Sequence, residues 1–401
     1  MNILAVNCGS SSVKYKLYRT DKNLQLLGEG LAERIGLRRG QIYVRFARRK
    51  PRIISKTFKD HGTAIKYVFE ILQNDKDPHV SDLGLIGCIG HRVVHGGAKY
   101  RQPVLIDKQV IRAIRANARF APLHNHLNLA GIEICRKMLP GIPNVAVFDT
   151  GIYRTLPAKS YLYGLAEKFY RRYGIHRYGF QGISHGYVAA EAAKIINRPF
   201  ENLKIITCHL GNGSSVSAFE NGRCIDTSMG MTPLEGLVMA TRCGDIDAGV
   251  LLYLQDTLGF DTKQMGELLN KKSGLLGLCG KSDIRDILEL VKKGNTAARN
   301  AIEVFIYRIQ KYIGSYTAAM NGVDIIVFTA GIGQNSPYLR ERILETFEFL
   351  HLRINKARNL KNQTVFSENN SEVCAMRIAT DEELAIARSS LEIINSRKGT
   401  C

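Results

Sequence analysis

Two copies of one short pattern, about two hundred residues apart, constrain this chain more than anything else in it. The first is Asn7-Cys8-Gly9-Ser10-Ser11-Ser12-Val13-Lys14. It follows an apolar run, Ile3 to Val6, that reads as a buried strand. It leads into Val13-Lys14-Tyr15-Lys16-Leu17-Tyr18, which alternates like a returning strand. The second runs from 205 to 217, again after an apolar strand, and its core Asn212-Gly213-Ser214-Ser215-Val216 echoes the first. A tight strand–turn–strand of this composition gathers backbone N–H groups and serine hydroxyls at one point. Gly9 lets a ligand approach the backbone, and Ser12 and Lys14 supply a hydroxyl and a charge. That is chemistry for a polyanion, most simply the phosphates of a nucleotide. Two such hairpins predict a duplicated α/β domain with a nucleotide held in the cleft between the halves.

The chain is long enough for this: 401 residues supply two domains with substantial cores. The first plausible boundary lies near residue 150, giving lobes 1–150 and 151–385, with a terminal helix 386–401 packing back on the first. An apolar content of 45% and a charged content of 23% are ordinary for a soluble globular protein. No window reaches the apolar length of a membrane span, and the N-terminus lacks a signal-type core, so a cytoplasmic location is expected. The nine cysteines are odd in number, scattered, and contain no CxxC pair, which argues against a disulfide framework or a zinc site. Cys8 is the one whose modification would matter. The net charge of +20 is unusually basic. Its densest cluster is Arg34, Arg38, Arg39, Arg45, Arg48, Arg49, Lys50 and Arg52, around a strand pair at 41–44. Without a nucleic-acid motif beside it, this reads as a solvated face, and nucleic acid is not expected as a partner.

Taken in order, a helix is predicted from His61 to Leu72. A strand at 85–89 delivers His91-Arg92-Val93-Val94-His95-Gly96-Gly97, a cation at a strand end suited to an anionic substrate. Asp107 is placed to cap a helix. Val145 to Phe148 form a strand that ends in Asp149, either an active-site carboxylate or the N-cap of the next helix. The segment 173–185 is glycine- and aromatic-rich and leads into an alanine-rich helix, an arrangement that favours anions. Arg242 lies in Thr241-Arg242-Cys243-Gly244-Asp245-Ile246-Asp247. It is open to two readings, an ion pair with Asp245 or Asp247, or a clamp on a phosphoryl group. Ile325 to Phe328 read as a buried strand. Gly331-Ile332-Gly333-Gln334-Asn335 come after it, with Ser336 and Pro337 opening a helix. Thr380 and Glu383 have the spacing of a capping box, which leaves Glu382 free to face a ligand.

Together the segments 7–14, 91–97, 148–150, 209–215, 226–236, 241–247, 331–335 and 382–388 resemble the acetate kinase family, within the acetate and sugar kinase, heat-shock 70 and actin superfamily. The resemblance covers essentially the whole chain. It implies two duplicated ribonuclease H-like lobes, a homodimer, and Mg²⁺-ATP, with Mn²⁺ able to substitute. The implied reaction is reversible transfer of the γ-phosphoryl group of ATP to acetate, giving acetyl phosphate and ADP. By the same resemblance, Asn7 and Glu382 match metal positions. Arg92 and Arg242 match arginines that hold substrate and the transferring phosphoryl group, and Asp149 matches the catalytic aspartate. His209, Leu210, Gly211, Asn212 and Gly213 match one ATP segment. Asp283, Ile284 and Arg285 match a second, and Gly331 to Asn335 a third. Val94, Leu123, Phe180 and Pro233 match a small apolar pocket for the acetate methyl group.

The physics agrees with these roles. A carboxylate nucleophile is already ionised at neutral pH and needs no strong base; the difficulty is bringing one anion to another. Two arginines and a divalent cation can neutralise the equatorial oxygens of a loose in-line transition state. Asp149 is therefore expected to orient an arginine or a metal-bound water. Three residues depart from the family pattern. Gln181 stands where a transition-state histidine is usual, Tyr153 replaces a histidine, and Gln334 replaces a glutamate. An amide donates a hydrogen bond but brings no positive charge. Two alternatives accompany the leading one: a kinase for propionate or another short-chain acid, and a weakened nucleotide-binding protein whose basic surface takes nucleic acid.

Overall fold

The computed structural model describes residues 1–21, 23–47, 49–121 and 124–398, so Arg48, Leu123 and the last three residues of the expected terminal helix lie outside it. The chain forms two compact units. Residues 1–154 join 381–401 in the first, and 155–380 make the second.

The first unit is built on an eight-stranded sheet. Its strands are β1 (Asn2–Cys8), β2 (Ser12–Thr20), β3 (Leu24–Glu33), β4 (Gln41–Phe46), β5 (Arg52–Ser55), β6 (Ile86–Val93), β7 (Val104–Leu105) and β8 (Asn144–Phe148). Their order across the sheet is β5-β4-β3-β2-β1-β6-β8-β7. β1 to β5 form an antiparallel meander, whereas β6 runs parallel to β1 and β8 parallel to β6. Every residue of β1 is buried, as a central strand covered on both faces requires. One cover is helical: α1 (His61–Gln73), α2 (Lys108–Ala116) and α3 (Asn125–Met138). Asp60 caps α1 and Asp107 caps α2, each with a carboxylate on the N–H three residues ahead. The C-terminal helix, Glu382–Lys398, packs against β1, β6 and β8. Ile386, Ala387 and Ser390 of this helix are fully buried, and Ile386 and Ser390 come so near Gly90 that a Cβ there would overlap the Ser390 hydroxyl. Only glycine on β6 lets this helix seat.

The basic cluster lies on β3 to β5 and their turns, with Arg34, Arg38, Arg39, Arg45, Arg49, Lys50 and Arg52 all exposed. Arg45 pairs with Glu29 at 2.7 Å and Arg49 with Asp75 at 2.6 Å.

The second unit repeats the same core. Its helix α4 (Gly182–Ile195) precedes β9 (Ile205–Leu210), β10 (Ser214–Glu220) and β11 (Arg223–Thr227). Then come α5 (Ile284–Lys292), α6 (Thr296–Ala319), β12 (Ile325–Thr329), α7 (Ala330–Asn335), α8 (Pro337–Leu344) and β13 (Cys374–Arg377). The sheet order is β11-β10-β9-β12-β13. This matches β3-β2-β1-β6-β8 of the first unit strand for strand, with the same change from antiparallel to parallel pairing at the centre. α6 supplies Ile302, Phe305, Ile306, Ile309 and Ile313 to the core, a stripe at helical spacing that packs on the sheet. The duplication is a property of the fold, and the two hairpins occupy corresponding places in it.

Among the described residues every cysteine is a free thiol. Cys8 is buried, and burial pushes its thiol up to about 12, so it is a core group rather than a reactive one. No helix among the described residues is long and apolar enough to cross a membrane.

Candidate active site

In the first unit the ends of β1, β6 and β8 and the start of the C-terminal helix bring their polar residues together. Arg92 on β6 donates from Nε and Nη2 to Oδ2 of Asp149, at 2.9 and 2.6 Å. Its Nη1 donates to Oδ1 of Asn7 at 3.1 Å. The Asn7 amide in turn donates to Glu382 Oε2 at 2.8 Å and to Glu383 Oε1 at 3.1 Å. Asp149 is therefore tied to Arg92, and its backbone N–H continues the sheet to the Val93 carbonyl. Burial works against the Arg92 charge, but Asp149 and the two glutamates outweigh it and hold the guanidinium above its ordinary value. Burial, then Glu382, pushes the Glu383 carboxyl up, against the pull of Lys14, Asn7 and Lys16. Two carboxylates are thus held on one amide. Lys14 is exposed, opposite Asn7 in the β1–β2 ladder, and Ser12 is half-buried at the turn.

Glu383 corrects the sequence reading. It takes no part in a capping box with Thr380. The cap is Asp381, whose Oδ1 accepts from Leu384 N at 2.9 Å. Helices tolerate either residue as a cap, and here the chain starts one position later. That turns Glu383 onto Asn7. Two asparagines that the sequence did not single out fix the loop after β6. Asn128 of α3 accepts from Val94 N and donates to the Cys8 carbonyl, while Asn125 spans both backbone groups of His95. They align Val94, which is buried, with the end of β1. His91 turns to Asn144, and burial pushes it down to about 4, so it stays neutral.

In the second unit a pocket of about 600 Å³ collects three separate stretches of chain. Its lining includes Gly211 and Asn212 from the second hairpin, Asp283, Ile284 and Arg285 at the start of α5, and Gly331, Ile332 and Asn335 from α7. Asp283 caps α5 and binds the exposed Arg285 through Nε and Nη2. Those bonds, with the Arg285 backbone N–H, hold its carboxyl down at about 2. The other expected ATP residues of this unit are not part of its lining. Leu210 is in the core, His209 meets Ser184 Oγ at 2.8 Å, and Gly333 packs on Phe328. The carbonyls of Gly333 and Gln334 accept from the fully buried Arg340.

A second group lies around Gly213. A Cβ on that glycine would sit 3.3 Å from Gln181 Nε2 and 3.4 Å from Arg242 Nη1. Gln181 opens α4 in a left-handed conformation, φ 59°. Its Nε2 donates to the Gly213 carbonyl and its Oε1 accepts from Ser215. Phe180 beside it is buried and Pro233 is half-buried. Arg242 pairs with neither Asp245 nor Asp247. Asp245 accepts from Gly236 N and Tyr312 Oη, and Asp247 caps the helix 248–258. Arg242 donates to the Pro233 carbonyl and meets the Met239 sulfur, and no ion pair with it exists among the described residues. Burial pulls its guanidinium below the usual value. By contrast, Arg177 in the aromatic-rich segment is spent on structure: it binds Glu235 and the carbonyls of Ser160, Thr227 and Ser228.

A ribonuclease H-like core built twice, with polar clusters at the ends of its central strands, defines an actin-like ATPase architecture. Within it the chain belongs to the acetokinase family, whose model matches residues 2–388. It is 47% identical over 401 residues to the acetate kinase of Pseudothermotoga lettingae, covering 99% of this chain and 98% of that one. Among solved structures it resembles Porphyromonas gingivalis acetate kinase, at 40% identity and a TM-score of 0.89, over 98% of this chain and 99% of that one. It also resembles a propionate kinase from Francisella tularensis, at 38% identity and a TM-score of 0.90, with the same coverage.

Proposed function

We propose that the protein is an acetate kinase, transferring the γ-phosphoryl group of ATP to acetate in a single in-line displacement. An acetate carboxylate oxygen forms the new bond to phosphorus as the bond from phosphorus to the β,γ-bridging oxygen breaks. ADP leaves with that electron pair, and no proton transfer is required. The observation that carries this reading is Arg242, a half-buried cation that no carboxylate neutralises among the described residues. A charge left in that state is suited to an anion that arrives from outside. Arg242 and the Gln181 amide are assigned to the phosphoryl oxygens. Arg92, held by Asp149, is assigned to the acetate carboxylate, with Asp149 as the group that orients it. The pocket lined by Gly211, Asn212, Asp283, Arg285 and Gly331 is assigned to the nucleoside. Val94, Phe180 and Pro233, with Leu123, are assigned to the methyl group.

Magnesium fits the first unit. No cluster of three or more His, Cys, Asp or Glu side chains among the described residues could hold a metal by itself. Glu382 and Glu383 offer carboxylate oxygens beside Asn7, whose own side-chain oxygen accepts from Arg92, and so small a set of oxygen donors suits an ion that keeps waters and phosphates as its other ligands. On this reading Asn7 and Glu382 would hold it, and when bound it supplies positive charge to the phosphates. Mn²⁺, which accepts the same donors, is expected to substitute.

The direct test is trapping of the acyl phosphate by hydroxylamine with ATP, Mg²⁺ and acetate, propionate or butyrate in turn. ATP-dependent hydroxamate, fastest with acetate, is expected. A higher turnover on propionate moves the assignment to a propionate kinase, and no product with any of the three removes it. One methylene supplies about 1–3 kcal/mol of discrimination, so a preference of roughly 10-fold or more is expected.

A homodimer belongs to the same proposal. The helix Ala248–Leu258 is mostly apolar yet buries none of its residues, and Leu252 and Tyr253 are 62% and 60% exposed. Such a face needs a cover, and a second copy supplies one through a self-complementary contact. Sedimentation is expected to give two chains per particle, and Leu252→Asp to give one. A monomeric wild type would contradict it.

A further inference from the structure

The amide of Gln181 could turn either its donor or its acceptor end to a phosphoryl group, and only the donor end would help. We propose that a buried relay of Thr207, His185 and Ser215 fixes that amide with its NH₂ group on the side of Gly213 and Arg242. His185 and Ser215 are then positioning residues for phosphoryl transfer. The inference rests on the assignment of Gln181 above.

Hydrogen-bond direction forces the arrangement. The Gly213 carbonyl can only accept, so the group 3.3 Å from it is Nε2 and not Oε1. Oε1 therefore faces Ser215 Oγ, 2.5 Å away, and Ser215 spends its one proton there. Ser215 Oγ must then accept from its other neighbour, His185 Nε2, at 2.6 Å. That nitrogen carries the proton. Burial, then His209, pushes the His185 imidazole well below its ordinary value, so the ring is neutral and Nδ1 keeps a lone pair. Nδ1 accepts from the Thr207 hydroxyl at 2.6 Å. The Ser217 carbonyl is Thr207's other acceptor, and at 3.4 Å it competes poorly. Run in the opposite direction, the chain would set the amide oxygen against the Gly213 carbonyl oxygen.

The parts are placed to hold this direction. Thr207, His185 and Ser215 are all fully buried, so water cannot satisfy either end of the relay. Thr207 and Ser215 stand on β9 and β10, and His185 stands one helical turn after Gln181 in α4. The His185 N–H binds the Gln181 carbonyl at 3.0 Å, which anchors the backbone of the same residue whose side chain the relay orients. The Gln181 amide carries no charge, so its value to the reaction lies wholly in which end it presents.

Two measurements test the relay. In the wild-type protein, ¹⁵N resonances of His185 are expected to show the neutral ring protonated on Nε2. In kinetics, Ser215→Ala is expected to lower kcat about 10- to 100-fold with both KM values changed less than about 2-fold. His185→Gln, which can offer a donor near the place of Nε2, is expected to keep roughly 10-fold more kcat than His185→Asn, which cannot. A ring protonated on Nδ1, or a Ser215→Ala enzyme with wild-type kcat, would overturn the relay. If the wild type forms no acyl phosphate, the functional assignment fails, while the ¹⁵N tautomer still decides the relay.

Discussion

Arg242→Ala is expected to lower kcat by about 10³-fold or more while leaving the melting temperature within roughly 2 °C of wild type. The two halves of this result have one cause. A loss of about 10³ corresponds to roughly 4 kcal/mol of transition-state stabilisation, the range for an arginine placed on a transferring phosphoryl group. Yet the resting protein gains little from Arg242. Its guanidinium is partly desolvated, has no carboxylate partner among the described residues, and binds one carbonyl and a sulfur. Removing a poorly compensated charge costs a fold little. Arg92 is the contrast. It binds the buried Asp149 directly, so Arg92→Ala should lose stability together with activity. Steady-state kinetics beside a thermal melt separate the two arginines. An Arg242→Ala protein that melts far below wild type would make the residue structural and withdraw its catalytic assignment.

How far the fold and the site are legible in the sequence depends on the range of the interactions involved. The hairpins and the cap at Asp107 are local patterns, and each stands where its residues place it. The repeated letters mislead at one point. Asn7 lies in β1, one pair before the last rung Cys8–Val13, and the corresponding rung of β9 is held by His209, one pair before Leu210–Ser214. Asn212 instead lies in the turn and lines the pocket. The strand–turn–strand is duplicated while its asparagine is not, because the second hairpin closes with one residue fewer between the paired ends. Glu383 had a visible signal, a second carboxylate beside Glu382 at a helix start, but the capping spacing masked it. Asn125, Asn128 and the relay through His185 had none. Their partners come from other strands and loops, and only the assembled sheets bring them within hydrogen-bonding distance.

Arg340 extends the same lesson to the nucleotide pocket, and Arg340→Met is expected to cost about 3–5 kcal/mol of stability. The side chain is 1% exposed, and burial, then Arg377, pulls its guanidinium down to about 10. Its five N–H groups meet five acceptors: the carbonyls of Gly333, Gln334 and Asn359 and the side-chain oxygens of Asn359 and Asn362. Truncation takes the guanidinium donors from the Gly333 carbonyl and the Asn359 side-chain oxygen in the buried part of this site, whereas the Gln334 carbonyl keeps Arg377 and the Asn359 carbonyl keeps the Asn362 N–H. The melting temperature of the second unit should fall by roughly 10 °C, at ~2–4 °C for each kcal/mol. Two of those acceptors close α7, which carries Gly331, Ile332 and Asn335 into the pocket wall. The loss should therefore also raise KM for ATP, by about 10-fold, with KM for acetate changed less than about 2-fold. Arg340→Lys keeps the charge without the planar fork and is expected to recover only part of either effect. If Arg340→Met melts within about 2 °C of wild type, the carbonyls of Gly333 and Gln334 do not depend on this guanidinium, and the pocket wall is held by Arg377 and the packing of Gly333 on Phe328 instead.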